Sequence, residues 1–167
     1  MPYTYEPIAS TTLTSTSISV VFSSIPQTYT DLVLVIQAIA VNTTGNEPLF
    51  RVNGDSGSNY SYTAFYGNGS SVNSTQITNR TNGELGLRSQ STSTTGGYNS
   101  ITHFMNYSNT TTYKTILTRS GDAGLGVESG ANMWRSTAAI TSIDSFISAA
   151  ATFNVGSTFS LYGIKAA

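Results

Sequence analysis

From Leu32 to Val41 the chain runs Leu-Val-Leu-Val-Ile-Gln-Ala-Ile-Ala-Val, ten residues with Gln37 as the one polar interruption. A membrane-spanning helix needs about 20 apolar residues, and the Val and Ile content here favours an extended strand. Alternate side chains of a strand leave on opposite faces. Leu32, Leu34, Ile36, Ala38 and Ala40 share one face, and Val33, Val35, Ile39 and Val41 share the other. Both are apolar, whereas in a two-layer sandwich one face of a strand ordinarily meets water. One face is therefore expected to lie under a flanking loop or another protein chain. Parity leaves open which one; the candidate oligomer or docking residues are Val33, Val35, Ile39 and Val41.

Shorter apolar or alternating runs recur along the rest of the chain. They predict strands at 5–11, 17–23, 48–53, 60–66, 84–89, 99–107, 113–119, 132–136, 140–147 and 158–164, besides 32–41. Asn53-Gly54, Gly67-Asn68-Gly69 and Gly156-Ser157 supply turn chemistry between them, since Gly and Asn adopt positive φ at little cost. Many short strands at fairly even spacing predict an all-β fold: a jelly-roll-like two-sheet antiparallel β-sandwich in a single domain, 1–167. In 140–147, Ile140, Ile143 and Ile147 sit at helical spacing beside several Ala. The β-branched content and all-β context favour a strand over a short helix.

Composition sharpens this picture. Roughly three residues in ten are Ser or Thr and 11% are aromatic, while only 9% are charged, against about 25% charged in typical domains. Such a chain has the side chains for packing on a pleated surface and few strong helix formers. Net charge is −1, with seven basic residues scattered singly. No basic stripe is present to neutralise a phosphate backbone and no basic amphipathic helix to lie on a membrane, which argues against both partners. The first residues, Met-Pro-Tyr-Thr-Tyr-Glu, resemble no secretory leader. With no cysteine, stability must come from packing and strand pairing, and the redox compartment stays open. Neutral, Ser/Thr-rich β proteins are common outside cells and in virions.

Candidate chemistry is thin. A nucleophilic triad would have to be built on His103, the single histidine, which lies mid-strand in Ile-Thr-His-Phe-Met with no Gly-x-Ser-x-Gly elbow; it reads as structural. The eight acids (Glu6, Asp31, Glu47, Asp55, Glu84, Asp122, Glu128 and Asp144) are isolated in sequence, so spacing selects no glycosidase pair. Asn53-Gly-Asp55-Ser-Gly-Ser-Asn59 alternates oxygen side chains as calcium loops do, but it has one carboxylate and no terminal Glu. A hairpin or Asx-turn loop is the better reading. No catalytic residue, cofactor or metal is expected. Tyr60, Tyr62 and Tyr66 fall on one strand face; they can stack on a glycan, or equally close a core edge or an oligomer seam, and packing is the favoured reading.

Three blocks carry a family likeness: Val20-Val-Phe-Ser-Ser-Ile-Pro-Gln-Thr-Tyr-Thr-Asp-Leu32; Phe50-Arg-Val-Asn-Gly-Asp-Ser-Gly-Ser-Asn-Tyr60 with Phe65-Tyr-Gly-Asn-Gly-Ser-Ser71; and Trp134-Arg-Ser-Thr-Ala-Ala-Ile-Thr-Ser-Ile143 with Gly156-Ser-Thr-Phe-Ser-Leu-Tyr-Gly-Ile164. Together the chain resembles small β-sandwich virion structural proteins of tailed bacteriophages, of the capsid-decoration or tail-fibre kind. The resemblance implies a homotrimer without an active site, located on the capsid surface and bound to the major capsid protein. A fibre protein usually adds a repetitive or coiled-coil shaft, and neither heptads nor a collagen-like repeat occur here. Decoration, or cement, is thus the expected role, with a tail-fibre or glycan-binding receptor module as the alternative.

Overall fold

The computed structural model describes residues 5–38, 40–41, 46–86 and 97–165. Among them the strands are β1 (Tyr5–Thr12), β2 (Ser19–Phe22), β3 (Asp31–Ala38), β4 (Ala40–Val41), β5 (Pro48–Val52), β6 (Tyr60–Gly67), β7 (Val72–Arg80), β8 (Gly83–Glu84), β9 (Tyr98–Phe104), β10 (Lys114–Asp122), β11 (Gly126–Trp134), β12 (Ile143–Ile147), β13 (Thr152–Phe153) and β14 (Thr158–Ile164). A single 3-10 turn, Ser148–Ala150, is the helical element. The fold is an all-β, two-sheet antiparallel sandwich. Its layers are unequal: an eight-stranded sheet in the order β1-β14-β3-β9-β10-β11-β6-β7 faces a four-stranded sheet in the order β2-β12-β5-β8, and a ribbon of β4 and β13 stands beside them.

The core follows from alternation. From β3, Leu32, Leu34, Ile36 and Ala38 point inward; from β14, Phe159 and Leu161 join them. The small sheet answers with Val20, Phe22, Phe50, Val52, Ile143 and Ile147. Phe50 stitches the layers, meeting Phe104 edge-on at 5.4 Å and Tyr60 at 6.2 Å. The ribbon is tied in through Phe153, whose ring meets Phe159 at 4.9 Å. Each such aromatic pair adds about 0.5–1.5 kcal/mol beyond area burial.

Several predicted elements shift. The run 32–41 divides, because β3 pairs with β14 and β9 whereas Val41 pairs with Thr152 of β13. The strand predicted at 140–147 begins at Ile143, and the helical turn follows it. The one predicted at 132–136 is the end of a longer strand starting at Gly126. Of 84–89, only Glu84 is in a strand, and positions 87–89 lie outside the described residues. No strand is predicted where β7 forms. An edge strand wet on both sides needs no apolar alternation.

Candidate interaction surface

Beyond β3 and β14, the inner face of the large sheet changes character. Ser100, Thr102, Thr118 and Asn132 are buried there, under β8 and Leu85. That crossing segment has little ladder of its own, so its backbone groups need partners from below. Asn132 supplies two, accepting from the Glu84 amide at 2.8 Å and donating to the Glu84 carbonyl at 2.9 Å. Ser100 donates to the Leu85 carbonyl at 2.9 Å. The Glu84 carboxylate takes Arg80 at 2.6 Å, and Arg80 also reaches Glu47 at 3.2 Å. Polar side chains therefore occupy inward positions of β9, β10 and β11.

Strand parity then sends the apolar residues outward. Across the sheet, cross-strand register sets Val35 beside Ile101, Ile101 beside Arg119, Arg119 beside Ser129 and Ser129 beside Phe65. A parallel row runs from Val33 through His103, Leu117 and Ala131. Phe65 is 62% exposed, Val127 65% and Val72 81%, and with Arg119 they line a shallow depression of about 490 Å³. Ile101, Leu117 and Met133 are also exposed. Arg119 stands in this apolar field with no ion-pair partner among the described residues. Soluble monomers rarely expose large contiguous apolar patches, and those that do use them for contact.

Of the four residues named from sequence, two lie on this face. Val35 is half-buried on it, while Val33 is only 6% exposed because it sits between Tyr162 and His103 in register. Ile39 lies outside the described residues, and the strand of Val41 pairs with β13 in the separate ribbon. On β6 the tyrosines pack inward, the reading favoured over a glycan face. Tyr60 and Tyr62 are 0% and 1% exposed, and only Tyr66 is partly open, so a glycan has no access to the first two rings. The Tyr60 hydroxyl donates to the Asp55 carbonyl at 3.2 Å and that of Tyr62 to the Glu128 carboxylate. Burial pushes the Tyr60 phenol up to about 12; burial, then the Glu128 charge, raise that of Tyr62 further. Gly130 faces the Tyr62 ring so closely that an added Cβ would overlap it.

The other candidates resolve into local structure. His103 Nε2 lies 2.9 Å from Asp31 Oδ2, and Asp31 Oδ1 accepts the Asn106 amide at 2.6 Å; the pair pins the end of β9 to β3. Lys114 is buried, donating to the carbonyls of Thr112 and Thr137, and burial pushes its ammonium down. Among the described residues no three His, Asp or Glu side chains converge as a metal site. In the 53–59 loop, the Asp55 carboxylate accepts three hydrogen bonds: from Trp134 Nε1 at 2.7 Å, Asn59 Nδ2 at 2.9 Å and the Gly57 amide at 2.8 Å.

Asp55 gives a stability prediction with a pH signature. Burial raises its carboxyl, but the Trp134, Asn59 and Gly57 donors together hold it below the usual value of 3.8. A depressed folded pKa contributes stability that is fully present above the unfolded value and lost as pH falls through the folded one. Asp55→Ala leaves the indole N–H of Trp134, 2% exposed, without its acceptor, at about 1–3 kcal/mol. Urea titrations should show that deficit in full at pH 7 and a narrower gap from the parent at pH 3. A gap that stays constant between the two would contradict the assigned role.

The sequence matches no protein-family model and no curated protein.

Proposed function

We propose that this protein is a virion structural protein that binds the outer surface of a phage capsid and stabilises the shell without chemistry, as a homo-oligomer seated on the major capsid protein. The observation that carries the reading is the inverted polarity of the large sheet, which leaves Ile101, Leu117, Phe65 and Val127 exposed around one unpaired cation, Arg119. A broad, nearly flat, sparsely charged face suits another protein surface better than a small molecule. The likeness of the three sequence blocks to phage β-sandwich proteins supplies the kind of partner. The tail-fibre or glycan-binding alternative loses support with the burial of Tyr60 and Tyr62.

A protein that binds only the mature shell stabilises it by mass action, by about 2.7 kcal/mol per site at 100 times its dissociation constant. Added back to particles assembled without it, the protein is expected to saturate a fixed number of sites and raise the temperature of DNA release. Localisation to the tail tip, or shells equally robust with and without it, would refute the reading.

A further inference from the structure

Any partner that covers the outer face of the large sheet has to accommodate Arg119. In register Arg119 lies between Ile101 on one side and Ser129, then Phe65, on the other. It borders three depressions of this face, of about 490, 330 and 210 Å³. A surface laid across Ile101 and Phe65 therefore passes over it. The side chain is exposed and makes no hydrogen bond, ion pair or ring contact with the described residues. Covering it with apolar groups alone would strip water from the guanidinium N–H donors and leave a buried charge uncompensated. The acceptor has to arrive with the partner.

This chain has no spare carboxylate to give. Of its eight acids, Glu6 holds Lys165, and Glu47 and Glu84 share Arg80. Asp31 accepts the Asn106 amide, Asp55 its three donors, and Asp144 the Ser19 hydroxyl. Asp122 and Glu128 are only 2% and 3% exposed. A second copy on this face would have to break one of these arrangements to meet the cation.

We infer that the outer face receives a carboxylate, an Asp or Glu side chain flanked by apolar residues, from a protein other than this chain, and seats it against Arg119. This chemistry rests on the docking reading above and specifies what the docked surface must present. Guanidinium and carboxylate match as planar forked groups, and the Ser129 hydroxyl, across the strand from Arg119, can donate to the same oxygen atoms. Such a pair selects partner and register more than it adds affinity. An apolar patch without the acid is rejected by the same arginine.

Arg119→Met keeps an apolar stem and drops the charge. On shells assembled without the protein it is expected to bind about thirtyfold more weakly or worse, and Arg119→Glu more weakly still, both with an unchanged far-UV circular dichroism spectrum. A partner without the acid gives the opposite sign, because methionine removes a desolvation cost. Unchanged or tighter shell binding by Arg119→Met therefore overturns the inference and leaves shell docking intact. The free protein supplies a second arm. In NMR titrations hexanoate should shift the signals of Arg119 and its cross-strand neighbours at concentrations about threefold lower than its uncharged counterpart hexanamide, and Arg119→Met should abolish that difference. An equal response to the two probes also overturns the inference. A parent that ignores shells but prefers hexanoate refutes the capsid reading alone and supports a carboxylate site for another protein.

Discussion

Ile36→Lys is expected to abolish the folded state, while Val35→Lys, one residue away, leaves a folded chain that no longer docks. Ile36 is 1% exposed and lies between Phe159 of β14 and Ser100 of β9. An ammonium there has no acidic partner in register, and an unpaired buried charge costs several kcal/mol after the surroundings relax. Lost packing of the isoleucine adds about 2 kcal/mol or more. Against a total stability of about 5–15 kcal/mol for an ordinary domain, that is most of what there is. Val35 points the other way, half-buried beside Ile101 and Ser160. A lysine there can lay its stem along the sheet and keep its charge in water, for a loss of about 1 kcal/mol. Far-UV circular dichroism and urea unfolding separate the two variants, and shell binding reads the second effect. A stably folded Ile36→Lys, or an unfolded Val35→Lys, would reverse the assignment of inner and outer faces.

The second large effect is on docking alone. Phe65 and Val127 are already about two-thirds exposed, so replacing both with Lys removes little that holds the domain together. Burial on a partner would gain about 1–2 kcal/mol from each, and their joint loss corresponds to a drop in affinity of about thirtyfold to several hundredfold. Raising salt should do far less to the parent, because Arg119 is the single unpaired charge in the field among the described residues and exposed charges are readily screened. Binding isotherms on shells lacking the protein provide the measurement. An affinity unchanged by the double substitution would place the contact on some other surface.

Alternation made β3 legible, and the apolarity of both its faces carried real information: the even residues build the core and the odd ones reach the outer face. On β6 the favoured packing of the tyrosines is what forms, with polarity inverted: Tyr60 and Tyr62 are inside with their hydroxyls matched to Asp55 and Glu128, and Phe65 is outside. In β9 and β10 the same inversion operates. Ser100 and Thr118 serve the backbone of a segment that crosses the sheet, with the Thr102 hydroxyl between theirs, and no local pattern announces that a distant stretch will need them. The outer surface was hidden for the same reason, since each of its residues is one apolar position in an alternating strand and register alone assembles them. β7 left no hydrophobic signal at all: Val-Asn-Ser-Thr-Gln-Ile-Thr-Asn-Arg reads as a loop until β6 is beside it.

The position of β14 has a consequence for how the chain must be made. It lies between β1 and β3, and a ribosome delivers it after every other strand described. Until then β1 has no neighbour in the large sheet, and β3, the most apolar strand of the protein, shows a bare edge. Growth from the N-terminus cannot close this sheet step by step; the first and third strands have to wait for the fourteenth. Every unfinished chain is therefore an aggregation hazard of the kind that exposed strand edges create in slow-folding β proteins, and the seven residues of β14 are the keystone that ends it.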